Sequence, residues 1–316
     1  MYFRKLLHLL LLPAVIWSPT SGAREFSWTA QNDVIGEINR TVASTQDTLY
    51  DIGMAHDIGF NEMRSANPGV DAWLPGQDRE VLIPSRFILP SIREGVVVNL
   101  REYRLYFFPD DGSKVITYPV AVGTDESPSP VVNTHVKLKI EQPNWYPPES
   151  VRAEYFAEHG KEMERIIYPG PDNPLGPFAI QLDLPEYFIH GTNKPFGIGT
   201  KVSRGCIRLD NDDLAKFVWE VPKYTPVHFV KESVKVGMQG EALLVELHLG
   251  KETKPDRAQI VDQVIEQVGR IEKSNGLVTI DFLALDQAIE DASGLPQKIG
   301  IKKADHTQVS FLHSRQ

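Results

Sequence analysis

Three short apolar runs, Val96 to Leu100, Arg104 to Phe108 and Val115 to Val122, follow one another with only turn residues between them. Links that short cannot join parallel strands, because a parallel crossover needs about a dozen residues or more. The runs therefore predict an antiparallel meander. Pro109-Asp110-Asp111-Gly112 supplies a hairpin turn, since Asp and Gly tolerate the positive φ such turns demand. Downstream, Pro128, Pro130, Pro143, Pro147 and Pro148 break the chain, and Glu154 to Ile167 reads as a mostly polar helix. Phe178 to Leu182 and Tyr187 to Ile189 then resume as strands, so this central part is expected to be mainly β. His135 alternates with Val136, Leu138 and Ile140 and is expected to be an exposed strand residue rather than a ligand.

Two smaller units flank the meander. Residues 24–38 are polar with no sustained period and read as a lead-in segment. In residues 39–86, Asp47 stands where a helix N-cap belongs, ahead of Leu49 and Ile52, and Phe60 to Ala66 fits a second helical turn. Val81-Leu82-Ile83-Pro84 is a short apolar strand ended by proline, so the order is strand, helix, helix, strand in a small α+β unit. Residues 92–231 form the central domain. Residues 232–316 read as a small α/β accessory region for packing or partner docking. There Ile260, Val261, Val264, Ile265 and Val268 recur at helical spacing over about 256–273, with a second helix over about 283–292.

The N-terminus bears on destination. Arg4 and Lys5 precede an apolar run from Leu6 to Trp17, and Ser21-Gly22-Ala23 places small residues at a cleavage site, so residues 1–23 read as a cleaved export signal. That run is too short to span a bilayer, and no later stretch is long enough to form a transmembrane segment. A formal net charge of −9 with no stripe of Lys or Arg excludes a phosphate-tracking nucleic-acid binder. The single cysteine excludes an internal disulfide and any multi-thiolate metal site.

That cysteine is the focus of the chemistry. His190-Gly191-Thr192 and Ser203-Arg204-Gly205-Cys206-Ile207-Arg208-Leu209 bring one thiol and one imidazole into neighbouring segments flanked by glycine. A thiolate is a nucleophile, and an imidazole can take the thiol proton. The alternative is a buried, inert cysteine. Export weighs against it, because an unpaired thiol in an oxidising compartment is a liability unless its reactivity is used. Gly205 permits a tight turn, from which the Gly205 and Cys206 amides could face a developing oxyanion.

Two resemblances follow from these residues. Asp47-Thr48-Leu49, Ala66-Asn67-Pro68 and Leu74-Pro75-Gly76 through Val81-Leu82-Ile83-Pro84 resemble the LysM module, with Gly53 and Gln46 as departures. That likeness implies glycan binding, with pure packing against the neighbouring domain as the alternative. Tyr187-Phe188-Ile189-His190-Gly191-Thr192, Gly197-Ile198-Gly199 and Ser203 to Leu209, followed by Asn211 and Asp212, resemble the L,D-transpeptidase catalytic domain, also called the YkuD domain. Gly170 to Gly176 and Asn144-Trp145-Tyr146-Pro147-Pro148 are similar to segments of its ErfK/YbiS/YcfS/YnhG branch.

The resemblance implies a YkuD-like β-sandwich and an acylated Cys206. It makes His190 the base, Gly191 the residue whose carbonyl orients the imidazole and Ser203 the support of the loop, with Gly205 in the catalytic set through its amide. Arg208, Tyr187, Thr192 and Asn193 are implied on the substrate side; for Arg208 the alternative is an ion pair with Asp210, Asp212 or Asp213. Arg204 stands where many relatives have histidine. Trp145 and Tyr146 are open between lining a groove and packing in the core.

The activity implied is attack on a peptidoglycan tetrapeptide stem and transfer of the acyl group to an amine, in the periplasm and with no metal or organic cofactor. The acceptor is either a diaminopimelate side chain or the C-terminal lysine of an outer-membrane lipoprotein. Hydrolysis at the same site and glycan binding without turnover are the alternatives. An exported thiol reductase is a possible further partner, unless a shielded cleft keeps the thiol protonated and slow to oxidise.

Overall fold

The computed structural model describes residues 24–29, 32–250 and 256–303; the predicted export signal lies outside the described residues. Among the described residues no helix is long and apolar enough to cross a membrane.

The meander forms as its turns predict. Strands Gly95–Asn99, Arg104–Phe108 and Lys114–Pro119 pair antiparallel, with Val96 opposite Phe107 and Tyr106 opposite Thr117. Gly112 sits at φ 63 in the connecting turn and donates its amide to the Pro109 carbonyl. These strands sit within a nine-stranded sheet. Pro226–Val230 joins Gly95–Asn99 in parallel, and Asn133–Glu141, Phe178–Leu182, Phe188–His190 and Ile207–Arg208 continue the sheet to its far edge. The central domain is mainly β, as expected.

Alternation in the meander serves two cores rather than one core and solvent. Val96, Val98, Leu105, Phe107, Ile116 and Tyr118 face a core closed by helix Asn211–Glu220 through Leu214, Phe217 and Val218. Val97, Tyr106, Phe108 and Val115 face the small N-terminal unit, packing with Ile52, Met63 and Phe87. That unit has the predicted order of strand Asn39–Val42, helix Leu49–Met54, helix Phe60–Ala66 and strand Glu80–Ile83, the two strands pairing antiparallel.

Arg104 ties the unit to the sheet. Its guanidinium is fully buried, bonds Glu62 at 2.8 Å and the Asp57 carbonyl at 2.9 Å, and lies 4.4 Å over the Phe87 ring. A buried cation persists only when its donors are satisfied, and here they are.

Three expectations are corrected. Thr48, not Asp47, caps the first helix: its hydroxyl accepts the Asp51 amide while Asp51 accepts the Thr48 amide, a reciprocal capping box. Asp47 instead accepts the Ser44 amide. The polar helix runs Glu149–His159, because Gly160 stops it at φ 64 in the left-handed region, and Ile167 pairs with Trp145 in an isolated bridge. The lead-in segment, for its part, supplies two strands. Arg24–Ser27 extends the edge of the large sheet beside Lys114–Pro119, and Val34–Gly36 pairs with Arg86–Ile88.

The C-terminal region is a four-stranded antiparallel sheet, ordered Val234–Gln239, Ala242–Leu247, Gln297–Lys302, Val278–Ile280. Helices Arg257–Asn275 and Phe282–Asp291 cover it, and their N-caps Asp256 and Asp281 each accept two first-turn amides. Its Lys235 ammonium is buried between Glu102 of the central domain, at 2.9 Å, and Glu246, at 2.8 Å, and donates to the Ile88 carbonyl. Glu102, Glu246 and His248 have ligand-like spacing, within 4.8 Å of one another, but Lys235 contacts both of those carboxylates.

Candidate active site

The parallel pair Phe188–His190 and Ile207–Arg208 builds the site. Ile189 lies opposite Ile207 and His190 opposite Arg208, which sets the imidazole and guanidinium side by side. Cys206 stands immediately before strand Ile207–Arg208, and the Arg208 charge acts on its thiol. The parallel register thus sets His190 beside Arg208, on the strand that Cys206 leads into.

The thiol is half-buried and donates to the Glu186 carbonyl at 3.5 Å. Burial pushes its pKa up, while the Phe188 amide and the Arg208 charge pull it down more weakly. His190 is 5% exposed, and its Nδ1 meets the Gly191 carbonyl at 2.7 Å, which fixes the proton there and makes Nε2 the basic nitrogen. Burial first, and Arg208 second, depress its pKa to about 4, against the pull of the Gly191 and Pro174 carbonyls. At neutral pH the resting pair is therefore a neutral thiol and a neutral imidazole, not a thiolate and an imidazolium.

Arg208 is partly buried, and among the described residues its Nε has no partner. Asp210 does not pair with it but caps helix Asn211–Glu220, accepting the Asp212 amide, and Asp213 is buried with its pKa raised to about 7 by desolvation. The ion-pair alternative for Arg208 is thus not what the structure shows.

Ser203 is 1% exposed and closes the nucleophile loop, donating to the Cys206 carbonyl and accepting the Gly205 amide at 3.1 Å. Here an expectation changes: the Gly205 amide is spent inside the loop, so it is not aimed at an oxyanion. Gly205 holds φ 102, and a Cβ there would stand 3.1 Å from the Tyr187 ring, which is why the position takes glycine. Tyr187 lies under the loop and packs partly into the core. Thr192 is 2% exposed with its hydroxyl accepting the Lys194 amide, so burial makes it a former of the loop rather than an open contact for a ligand. Asn193 is exposed and donates to the Asp172 carbonyl at 3.1 Å.

Two positioning residues escaped the sequence reading. Asn211 accepts the Thr192 amide at 2.8 Å and donates to the Thr192 carbonyl at 2.9 Å, pinning the segment that follows His190. Ser129 accepts the Gly123 amide and donates to the Gly205 carbonyl at 2.8 Å, bracing the nucleophile loop from behind. Asn211 carried a signal, since it lies in the quoted motif; Ser129 carried none.

The remaining candidates fall outside this cluster. His135 lies on its strand near Asp183 and Tyr224. Asn173 is buried and donates to the carbonyls of Pro143, Ile167 and Tyr168, holding the excursion that carries helix Glu149–His159. Trp145 is half-buried, and Tyr146 is exposed. Arg204 reaches out to Glu154 on that helix in a two-pronged ion pair.

Residues 93–229 match the family model of the YkuD L,D-transpeptidase catalytic domain. Over 288 residues the chain is 36% identical to the probable L,D-transpeptidase YbiS of Escherichia coli K12, covering 89% of this chain and 90% of that protein. It is 43% identical over 180 residues to the probable L,D-transpeptidase ErfK/SrfK of the same organism, covering 56% of this chain and 57% of that one. The solved catalytic domain of an Enterococcus faecium L,D-transpeptidase aligns at 16% identity and a TM-score of 0.33, over 44% of this chain and 99% of that domain. With a relative this similar along nearly its whole length, the chain belongs to the L,D-transpeptidase family and is an enzyme of that class.

Proposed function

We propose that the chain is an exported, periplasmic L,D-transpeptidase that works on peptidoglycan tetrapeptide stems through a thioester on Cys206. The observation that supports this is the register of the parallel strand pair, which sets the buried, neutral His190 beside Arg208, whose Nε has no partner among the described residues, two positions after Cys206. Arg208 receives a carboxylate of the donor stem through its planar fork. Sγ attacks the carbonyl between the third and fourth stem residues as His190 Nε2 takes the thiol proton. The Cys206 amide holds the oxyanion. Collapse expels the terminal D-alanine, whose amine receives that proton, and an acceptor amine then takes the acyl group and frees the thiol.

The order of a LysM-like unit before the catalytic domain favours lipoprotein attachment over 3-3 crosslinking, with the N-terminal unit binding glycan. The protonated resting thiol favours slow oxidation, so an exported reductase is the reading to which rapid loss of activity in mild peroxide would point. Incubation with muropeptides and a lipoprotein C-terminal peptide tests the function. Peptide-bearing muropeptides or 3-3 dimers support transfer, trimmed monomers support hydrolysis, and unchanged material leaves only binding. A carbapenem should add one drug mass to the wild type and none to Cys206→Ala.

A further inference from the structure

Between His190 and Cys206 the chain makes the short turn Pro195–Gly197, and the N-terminal unit grips it. Phe196 stands in this turn. Its ring lies 4.5 Å from that of Tyr50 and 5.4 Å from that of Trp73, near-parallel at 17°, and Trp73 stacks in turn on Phe60 at 5.2 Å. Three of the four rings belong to the N-terminal unit. The backbones also meet: the Asn61 amide donates to the Gly199 carbonyl at 3.3 Å, and a Cβ on Gly199 would collide with the Phe60 nitrogen at 2.4 Å.

From this grip the chain passes directly into the site. Strand Lys201–Ser203 pairs with Val122–Gly123 and ends on Ser203, whose hydroxyl holds the Cys206 carbonyl. On the other side the turn follows Thr192, which Asn211 pins. We propose that Trp73 and Phe196 are positioning residues for acylation, through which the N-terminal unit sets the turn and, with it, the Ser203–Cys206 loop. The unit is then part of the catalytic apparatus and not an appended binding arm. This rests on the proposed function insofar as acylation is its readout.

The test uses the full chain and a carbapenem as probe. Trp73→Ala should slow the first-order acylation of Cys206 roughly ten- to hundred-fold, the penalty for a loop misplaced by about an ångström, with the half-saturating drug concentration unchanged. Trp73→Phe keeps a stacking ring and should restore the rate to within about two-fold, and Phe196→Ala should repeat the loss. Val42→Ala, at an exposed side chain elsewhere on the same unit, should change nothing. Independently of acylation, hydrogen exchange at the Gly197, Ile198 and Gly199 amides, which donate within or beside the turn, should accelerate in Trp73→Ala. Unchanged exchange there overturns the proposal whatever the enzyme does. A wild-type acylation rate in Trp73→Ala, or a loss confined to half-saturation, also overturns it. A wild type that never acylates would instead sink the proposed function and leave exchange to decide the grip.

Discussion

At the scale of single residues, burial decides the acid–base chemistry. His190 titrates near 4 because its charged form is denied water, whereas a solvated imidazole titrates near 6.5. The neutral ring is the basic form, so carbapenem acylation of Cys206 should hold its rate down through pH 5 and fall only near pH 4. A pH–rate profile checks this, and an acid limb near 6.5 would contradict it. The same shift lowers stability in acid: between pH 6.5 and 4 the unfolded chain binds the proton and the native chain does not, at a cost of roughly 3 kcal/mol once both values are passed. Arg208 offers a second check. Arg208→Ala should raise the half-saturating concentration of a carboxylate-bearing donor about ten-fold or more, in keeping with the ~1.5–3 kcal/mol of a hydrogen bond to a charged group. Binding that is indifferent to the substitution would move Arg208 out of the substrate contact.

At the scale of elements, helix Glu149–His159 differs from the other described α-helices in burying no residue, and Phe156 on it is 56% exposed. The Arg204 ion pair that ties it to the nucleophile loop is itself exposed, and such pairs hold little. Its hydrogen bonds therefore open without disturbing a core. In native-state exchange its amides should open at far lower free energy than those of strand Arg104–Phe108, which is buried along its length. Glu154→Gln should leave the thermal midpoint where it is. Equal protection of helix and strand would show that the helix is held by more than this one pair.

At the scale of the whole molecule, buried charge joins the larger hydrophobic cores of the described residues, beside a small apolar contact of Val34 and Ile88 with Leu244 of the C-terminal sheet. Lys235 of the C-terminal sheet bridges Glu102 of the central domain and Glu246 of its own sheet, His248 also meets Glu246 at 2.7 Å, and Arg104 joins the central sheet to Glu62 of the N-terminal unit. Lys235→Met takes the shared ammonium from two buried carboxylates, leaving Glu246 with His248 and Glu102 with the Tyr106 hydroxyl, and should cost about 3 kcal/mol, read as a lower urea midpoint. Adding Glu102→Gln and Glu246→Gln should recover most of that loss, because neutral groups no longer need a counter-charge. If Lys235→Met is as stable as the wild type, the C-terminal sheet is not held through this cluster.

The meander, the two-helix N-terminal unit, the amphipathic C-terminal helix and the pair of chemistry-bearing motifs were legible along the chain, because each rests on local period, turn chemistry or contiguous residues. Whatever depends on a distant partner was not. Strand Arg24–Ser27 is short and half-exposed, so it has no periodic signature and exists because the edge of the large sheet accepts it. Arg104 looks like a surface residue until Glu62, more than forty positions earlier, is folded onto it. The motifs named Cys206 and His190 but could not show that both are neutral at rest, that the Arg208 Nε has no partner among the described residues, or that Ser203 takes up the Gly205 amide. Residue type determined which chemistry was available; burial and strand register, which only the packed chain possesses, decided the protonation states and which groups face one another.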